Sequence, residues 1–313
     1  MNHLLASYTA LKTRNVAPPQ LYFLYRKFMR IFGGHGFGRF YPVRAADRAI
    51  NWILRPRVAE VMGHKMFLDP SDSLHLSVTS AYEPLETSLI DQLIRPGDTV
   101  LDIGANIGYY TLLFAKLVGE RGRVFAFEPE PENFKLLKKN VALSGYHNVV
   151  LIPKAASNTT GTARLYLSDV NKGDHRLSNS GERRESIAIS TVQLDDELGN
   201  YDRPVRLIKM DIQGHEAAAL QGMLQLLSRN QSISILSEFW PVGLSHSGAD
   251  PQKHLAWFAD HGFTLYNLNE SENAIEPADT ARLIGPQSHR EEYYTNVLAT
   301  RGTGFVPTAN SKS

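Results

Sequence analysis

Asp102, Gly104, Gly108 and Glu128 stand in one short stretch, VLDIGANIGYYTLLFAKLVGERGRVFAFEPEP, from Val100 to Pro131. An apolar strand runs into an acid and a glycine turn, a helix follows, and a second apolar strand ends in Glu128. In a parallel sheet a ligand lies at the carboxyl ends of the strands, where the first turn lets backbone approach it. Gly104 and Gly108 stand where a side chain would crowd the ligand or the helix. Glu128 follows Gly104 by 24 residues, the position from which a carboxylate accepts both hydroxyls of a ribose.

Two ribose-bearing cofactors fit that outline. A dinucleotide needs GxGxxG, with a bare second glycine where pyrophosphate lies on the helix N-terminus. Asn106 occupies that position, and Asp102 puts a carboxylate before the turn, where it would repel pyrophosphate. The same carboxylate suits an ammonium or sulfonium, and S-adenosylmethionine carries both. The competing reading is a glycine turn that only permits tight strand-to-helix packing.

The elements that hold these residues alternate. TVLDIG, RVFAFEP, VVLIPKAA, VRLIKMDI and SISILSEF are apolar strands, and helical patterns cover 108–118, 132–144, 216–228 and 251–261. FTLYNL and YYTNVLATR close the set. This rhythm predicts an α/β fold with a doubly wound, mostly parallel, seven-stranded sheet of Rossmann-like type. Between 157 and 204 the pattern changes to TARLYLS, a polar loop DVNKGDHRLSNSGERRE, and SIAISTVQL, which predicts an inserted β-hairpin with an exposed loop. Upstream, VAEVMGHKMFLDP predicts a short hairpin and SAYEPLETSLIDQLI a capped helix.

With those elements in place the residues resemble the FkbM-type methyltransferases, a branch of the class I S-adenosylmethionine-dependent enzymes. The resemblance runs from about Tyr82 to Glu238 and rests on YEPLE, PGDTVLDIGANIGYYT, VFAFEPEPENFKLLKKN, the Ala155-Ala156 pair and KMDIQGHE. It implies that Asp102, Gly104, Ala105, Asn106, Gly108, Glu128 and Pro129 hold the cofactor, together with Glu83, Asn133 and Ala155. Many relatives carry Glu where Gln213 stands, so a carboxylate role there does not carry over.

The resemblance also implies O-methylation of a hydroxyl on a sugar, polyketide or other small molecule. Alignment in line with the methyl group, exclusion of water and removal of the hydroxyl proton are then required. Asp211 ends the fourth strand, and His215 follows it across the turn; an imidazole is the better base near neutral pH. The competing readings are a helix N-cap for Asp211 and a surface histidine for His215. In the inserted loop, Asp174-His175-Arg176 could cover the cofactor as a lid, making His175 a third catalytic candidate. Glu238 and His246 point toward the same rim. Magnesium held by Asp211, His215 and Glu238 ranks below metal-free transfer, and no metal site is expected. Two other functions stay open: a non-catalytic S-adenosylmethionine-binding scaffold and a nicotinamide-dependent oxidoreductase.

Composition sets the outer limits. The chain has 313 residues, 42% hydrophobic, and no cysteine, which excludes disulfides, thiolate metal sites and a cysteine nucleophile. No apolar run reaches the roughly 18 residues of a membrane span, and no secretory signal pattern opens the sequence, so the expected location is cytoplasmic. The net charge of +1 hides an asymmetry. Residues 1–57 carry ten Lys/Arg against one acid, and the rest 23 against 31. LYFLYRKFMRIF predicts an amphipathic helix within a basic N-terminal extension, residues 1–56, ahead of the methyltransferase domain at 57–303 and a disordered tail at 304–313. Its aromatics would pack on the main domain or on a second subunit in a homo-oligomer; the alternative is weak contact with a membrane surface. The domain's acidity and the lack of an RNA-binding signature argue against nucleic acid.

Overall fold

The computed structural model describes Leu24 and residues 57–305, apart from 71, 75, 77–81, 169–170 and 180–182. The expected N-terminal amphipathic helix and nearly all of the C-terminal tail lie outside the described residues. The chain divides into two compact units, residues 1–80 and 81–313.

In the first unit, strands β1 (Val58–Val61) and β2 (His64–Phe67) pair antiparallel, with Val61 opposite His64. Met62 and Gly63 both take left-handed backbone, at φ 50° and 82°, as a two-residue hairpin turn requires.

The second unit is built around a mixed sheet. Helix α1 (Pro84–Leu93) leads into β3 (Thr99–Ile103), α2 (Tyr109–Val118), β4 (Arg123–Phe127), α3 (Pro131–Ser144) and β5 (Val149–Ile152). After an insertion come β9 (Val205–Met210), α5 (Glu216–Gln221), α6 (Leu224–Arg229), β10 (Ile233–Phe239), α7 (Pro241–His246), α8 (Pro251–Asp260), β11 (Thr264–Asn269), β12 (Ala274–Pro277), α9 (Thr280–Leu283) and β13 (Thr295–Arg301). The sheet order is β12-β11-β13-β10-β9-β3-β4-β5. Strands β10, β9, β3, β4 and β5 run parallel, and β13, β11 and β12 pair antiparallel. Every residue of β3 is buried, as a strand covered on both faces demands. The chain winds outward from β3 to β5 and then returns to β9 on the other side of β3. This reversal opens a crevice at the carboxyl ends of β3 and β9.

Three expectations need correction. The sheet has eight strands, not seven, because Ala274–Pro277 turns back on β11 through Asn273, whose φ of 49° makes the tight turn. VVLIPKAA is two strands: β5 ends at Ile152, and the pair β6 (Ala155–Ala156) joins a separate three-stranded sheet with β7 (Gly161–Tyr166) and β8 (Ser186–Val192). Helix 216–228 breaks at Gly222–Met223, where a Cβ on Gly222 would lie 2.0 Å from the Ser157 carbonyl oxygen. The expected inserted hairpin is present as β7 and β8, followed by the short α4 (Leu194–Glu197).

Candidate active site

The turn after β3 is shaped by close backbone approach. Gly104 has φ 85°, and a Cβ there would sit 2.0 Å from the carbonyl oxygen of Asp211. Gly108, at φ 101°, starts α2, and its Cβ would fall 2.8 Å from Leu137 of α3. Both glycines therefore serve packing between elements, whatever else they admit. The amides of Gly104 and Ala105 donate to the Phe127 carbonyl at 3.0 and 2.9 Å, joining the ends of β3 and β4.

Glu128 is fixed by the same two ends. Its Oε2 accepts the Asn106 N–H at 2.9 Å and its Oε1 the Glu130 N–H at 2.8 Å. Each carboxylate oxygen keeps a further lone pair. Burial pushes the Glu128 carboxyl up to about 8, with the two amides pulling the other way. Pro129 follows, and Glu130 caps α3 through the Asn133 N–H at 2.6 Å. The Asn133 side chain donates to the Lys172 carbonyl of the inserted loop at 3.0 Å. Asp102 is buried beside Thr111, whose hydroxyl it accepts, and burial raises its carboxyl to about 6. Ala155 is buried in a small cluster with Leu165 and Ile189.

Across the crevice a second group gathers at the end of β9. Gln213 donates one amide to Asp211 Oδ1 at 2.9 Å and to Glu238 Oε2 at 3.1 Å, bridging two carboxylates. Behind them Lys209 is buried, 3.7 Å from Asp211 Oδ2 and 3.8 Å from Glu86 Oε1, with its ammonium over the Tyr110 ring. Burial pulls Lys209 down, but Glu86, Asp211, Glu83 and Asp102 together hold it above its ordinary value. Glu83 accepts the Tyr110 hydroxyl at 2.7 Å and the Asn296 amide at 3.3 Å. Burial raises the carboxyls of Glu83 and Glu238, and neighbouring Asp211 adds to both.

The three catalytic candidates occupy different places. Asp211 stands in the crevice with Gln213 and Glu238. His215 instead turns toward β6, where its Nε2 lies 3.1 Å from the Ser157 hydroxyl; burial lowers it to about 4. His175 sits in the inserted loop, its Nδ1 accepting the Ser168 N–H at 3.0 Å. Its neighbour Arg176 binds Asp174 at 2.7 Å and Glu291 at 3.2 Å and lies over the Trp240 ring. Glu238 joins Asp211, while His246 lies edge-on to Trp240.

Lys209, Glu86 and Tyr110 stand within the family motifs without an assigned role, and Asn296 lies outside those motifs. A lysine inside the apolar run VRLIKMDI was the available signal, because a buried lysine needs carboxylate partners.

The sequence profile of the methyltransferase FkbM domain matches residues 102–265, which carry Asp102, Glu128, Asp211 and Glu238 alike. The chain belongs to the FkbM methyltransferase family. Within that comparison it is 30% identical to the hexuronic acid methyltransferase AglP of Haloferax volcanii over 50% of this chain and 59% of that one. It is 29% identical to the 31-O-demethyl-FK506 methyltransferase FkbM of Streptomyces tacrolimicus, over 42% and 61%. The chain thus spans less than two thirds of either relative's length. Among solved structures, a SAM dependent methyltransferase from Aquifex aeolicus is similar at 18% identity and a TM-score of 0.40, covering 75% of this chain and 99% of that one.

Proposed function

We propose that this FkbM-family chain is an S-adenosylmethionine-dependent methyltransferase that O-methylates a hydroxyl on a sugar, polyketide or other small molecule. One observation carries this: the crevice has two unlike halves, a carboxylate held by amides at the end of β4 and a polar cluster around Asp211 at the end of β9. The first half fits the cofactor. Glu128 keeps lone pairs for two ribose hydroxyls, Asn106 Oδ1 is buried without a partner, and buried Asp102 suits a cation. The bound cofactor supplies a methyl group already activated on a sulfonium. Gly104, Ala105, Gly108, Pro129 and Ala155 complete the walls or the backbone of that half in this reading, while Glu83 stands with the Lys209 group across the crevice.

Asp211 is the proposed proton acceptor for the hydroxyl nucleophile. Gln213 and Lys209 orient it, and Glu238 stands where a second acceptor hydroxyl would be held. His215 is left out of the reaction, because its outer nitrogen is engaged by Ser157 and burial makes it a weak base. The carboxylates facing this half favour a neutral acceptor over an anionic one.

Among the described residues no helix is long and apolar enough to cross a membrane. Isothermal titration with S-adenosylmethionine, followed by labelled methyl transfer to matched neutral and anionic polyols, tests the proposal. Absence of cofactor binding by the folded chain sinks it, and transfer confined to anionic acceptors sinks the acceptor assignment.

A further inference from the structure

Among the described residues, Asn106 Oδ1 and His175 Nε2 are buried without a hydrogen-bond partner. The second has a definite chemical character. His175 Nδ1 accepts the Ser168 N–H, so the ring proton of the neutral imidazole resides on Nε2. Burial keeps that ring neutral by lowering its proton affinity, against the pull of the nearby Glu130 carboxylate. The orphan is therefore an N–H donor, and a buried donor without an acceptor is costly.

The loop that carries it is fastened to the cofactor half and to the far rim. On the near side, Asn133 of α3 donates to the Lys172 carbonyl, and a Cβ on Gly173 would lie 3.3 Å from Asn106 Nδ2. On the far side, Asp174 is clamped by Arg176 and Arg184, and Arg176 reaches Glu291 and covers Trp240. His175 lies between these attachments, two residues after Gly173 and flanked directly by Asp174 and Arg176.

We infer that His175 is a binding residue for the adenosine part of the cofactor, donating its Nε2–H to an acceptor atom of the nucleoside, and not a base in the transfer step. This rests on the methyltransferase proposal. The division of labour is chemically complementary: Glu128 takes the hydroxyl donors of the ribose, and His175 meets a nucleoside acceptor such as a ring nitrogen.

The test is isothermal titration of the full chain with two probes, S-adenosylhomocysteine and adenosine. His175→Phe keeps the ring but removes the donor, and should weaken both probes by about three- to tenfold, the size of one neutral hydrogen bond. His175→Gln restores an N–H at similar reach and should stay within about twofold of the parent. Melting curves establish that each variant is folded. Parent-like affinity of His175→Phe for both probes overturns the inference, as does equal loss in His175→Phe and His175→Gln, which would assign the effect to shape. If the parent binds neither probe, the underlying methyltransferase proposal falls with it, and that result differs from a parent that binds while His175→Phe is unaffected.

Discussion

At the scale of single residues, the site depends on which carboxylates are already satisfied. Glu128 holds two backbone amides and still has capacity, so its loss should act on binding. At about pH 9, where the carboxyl is ionised, Glu128→Ala should weaken S-adenosylhomocysteine by about 10- to 100-fold in titration calorimetry, the range for hydrogen bonds to a charged group. Unchanged affinity in a folded variant would remove it from the site. Asp211 differs: Gln213 and Lys209 fix it, but no bond ties it to the β4 end. Asp211→Asn should therefore lower kcat on the order of a hundredfold with cofactor affinity nearly unchanged. A rate within a few-fold of the parent would place the base elsewhere. Gln213 explains why a carboxylate is not needed at its own position: its neutral amide separates Asp211 from Glu238, where a third carboxylate would add repulsion.

At the scale of elements, close backbone approach sets the spacing of the strand ends, and side chains such as Glu128 and Gln213 bridge them. Glu83, Asn106 and Gln213 take left-handed backbone at φ 43°, 49° and 55°, and all three lie at this edge of the sheet, where strain is expected to concentrate. Gly104 is the tightest point, because the Asp211 carbonyl fills the space its side chain would need. Gly104→Ala should push β3 and β9 apart, costing about 2 kcal/mol or more of stability and displacing Asp211. A thermal melt and kcat should fall together; an unaltered Tm would show that the turn yields. The βα repeats and the place of Glu128 at the end of β4 were legible because buried parallel strands and a glycine turn leave strong local patterns. In VVLIPKAA, Pro153-Lys154 marks a break, but nothing local reveals that Ala155-Ala156 leaves the main sheet to pair with β8. The break at Gly222 was harder to read, since the Ser157 carbonyl that a side chain there would strike lies 65 residues away in sequence. Lys209 was hidden for a related reason: Asp211 stands only two residues on, but the second partner, Glu86, comes from the distant helix α1.

At the scale of the whole molecule, gathering carboxylates in a buried crevice sets function against stability. Burial raises Glu86 and Glu128 to about 8, Glu216 to about 7 and Asp102 to about 6. Between the ordinary carboxylate range and these values the folded chain keeps protons that the unfolded chain has released. Their stabilising contribution is complete at low pH and is lost as pH rises through each folded value. Buried His254 and His215 oppose this, both lowered to about 4 by burial. Their contribution is complete above roughly pH 6.5 and is lost as pH falls toward 4. Above roughly pH 6.5 the histidines no longer titrate, so the carboxylates decide the sign. Without ligand, Tm should fall by about 5 to 10 °C between pH 6.5 and 8, at roughly 1.4 kcal/mol per proton per pH unit before any relaxation of the site. Glu128→Gln removes one titrating group and should flatten the slope while raising Tm at pH 8. A Tm that is level or rising over that interval would mean that these carboxylates are ionised at little cost, and that the crevice is wetter than its packing implies.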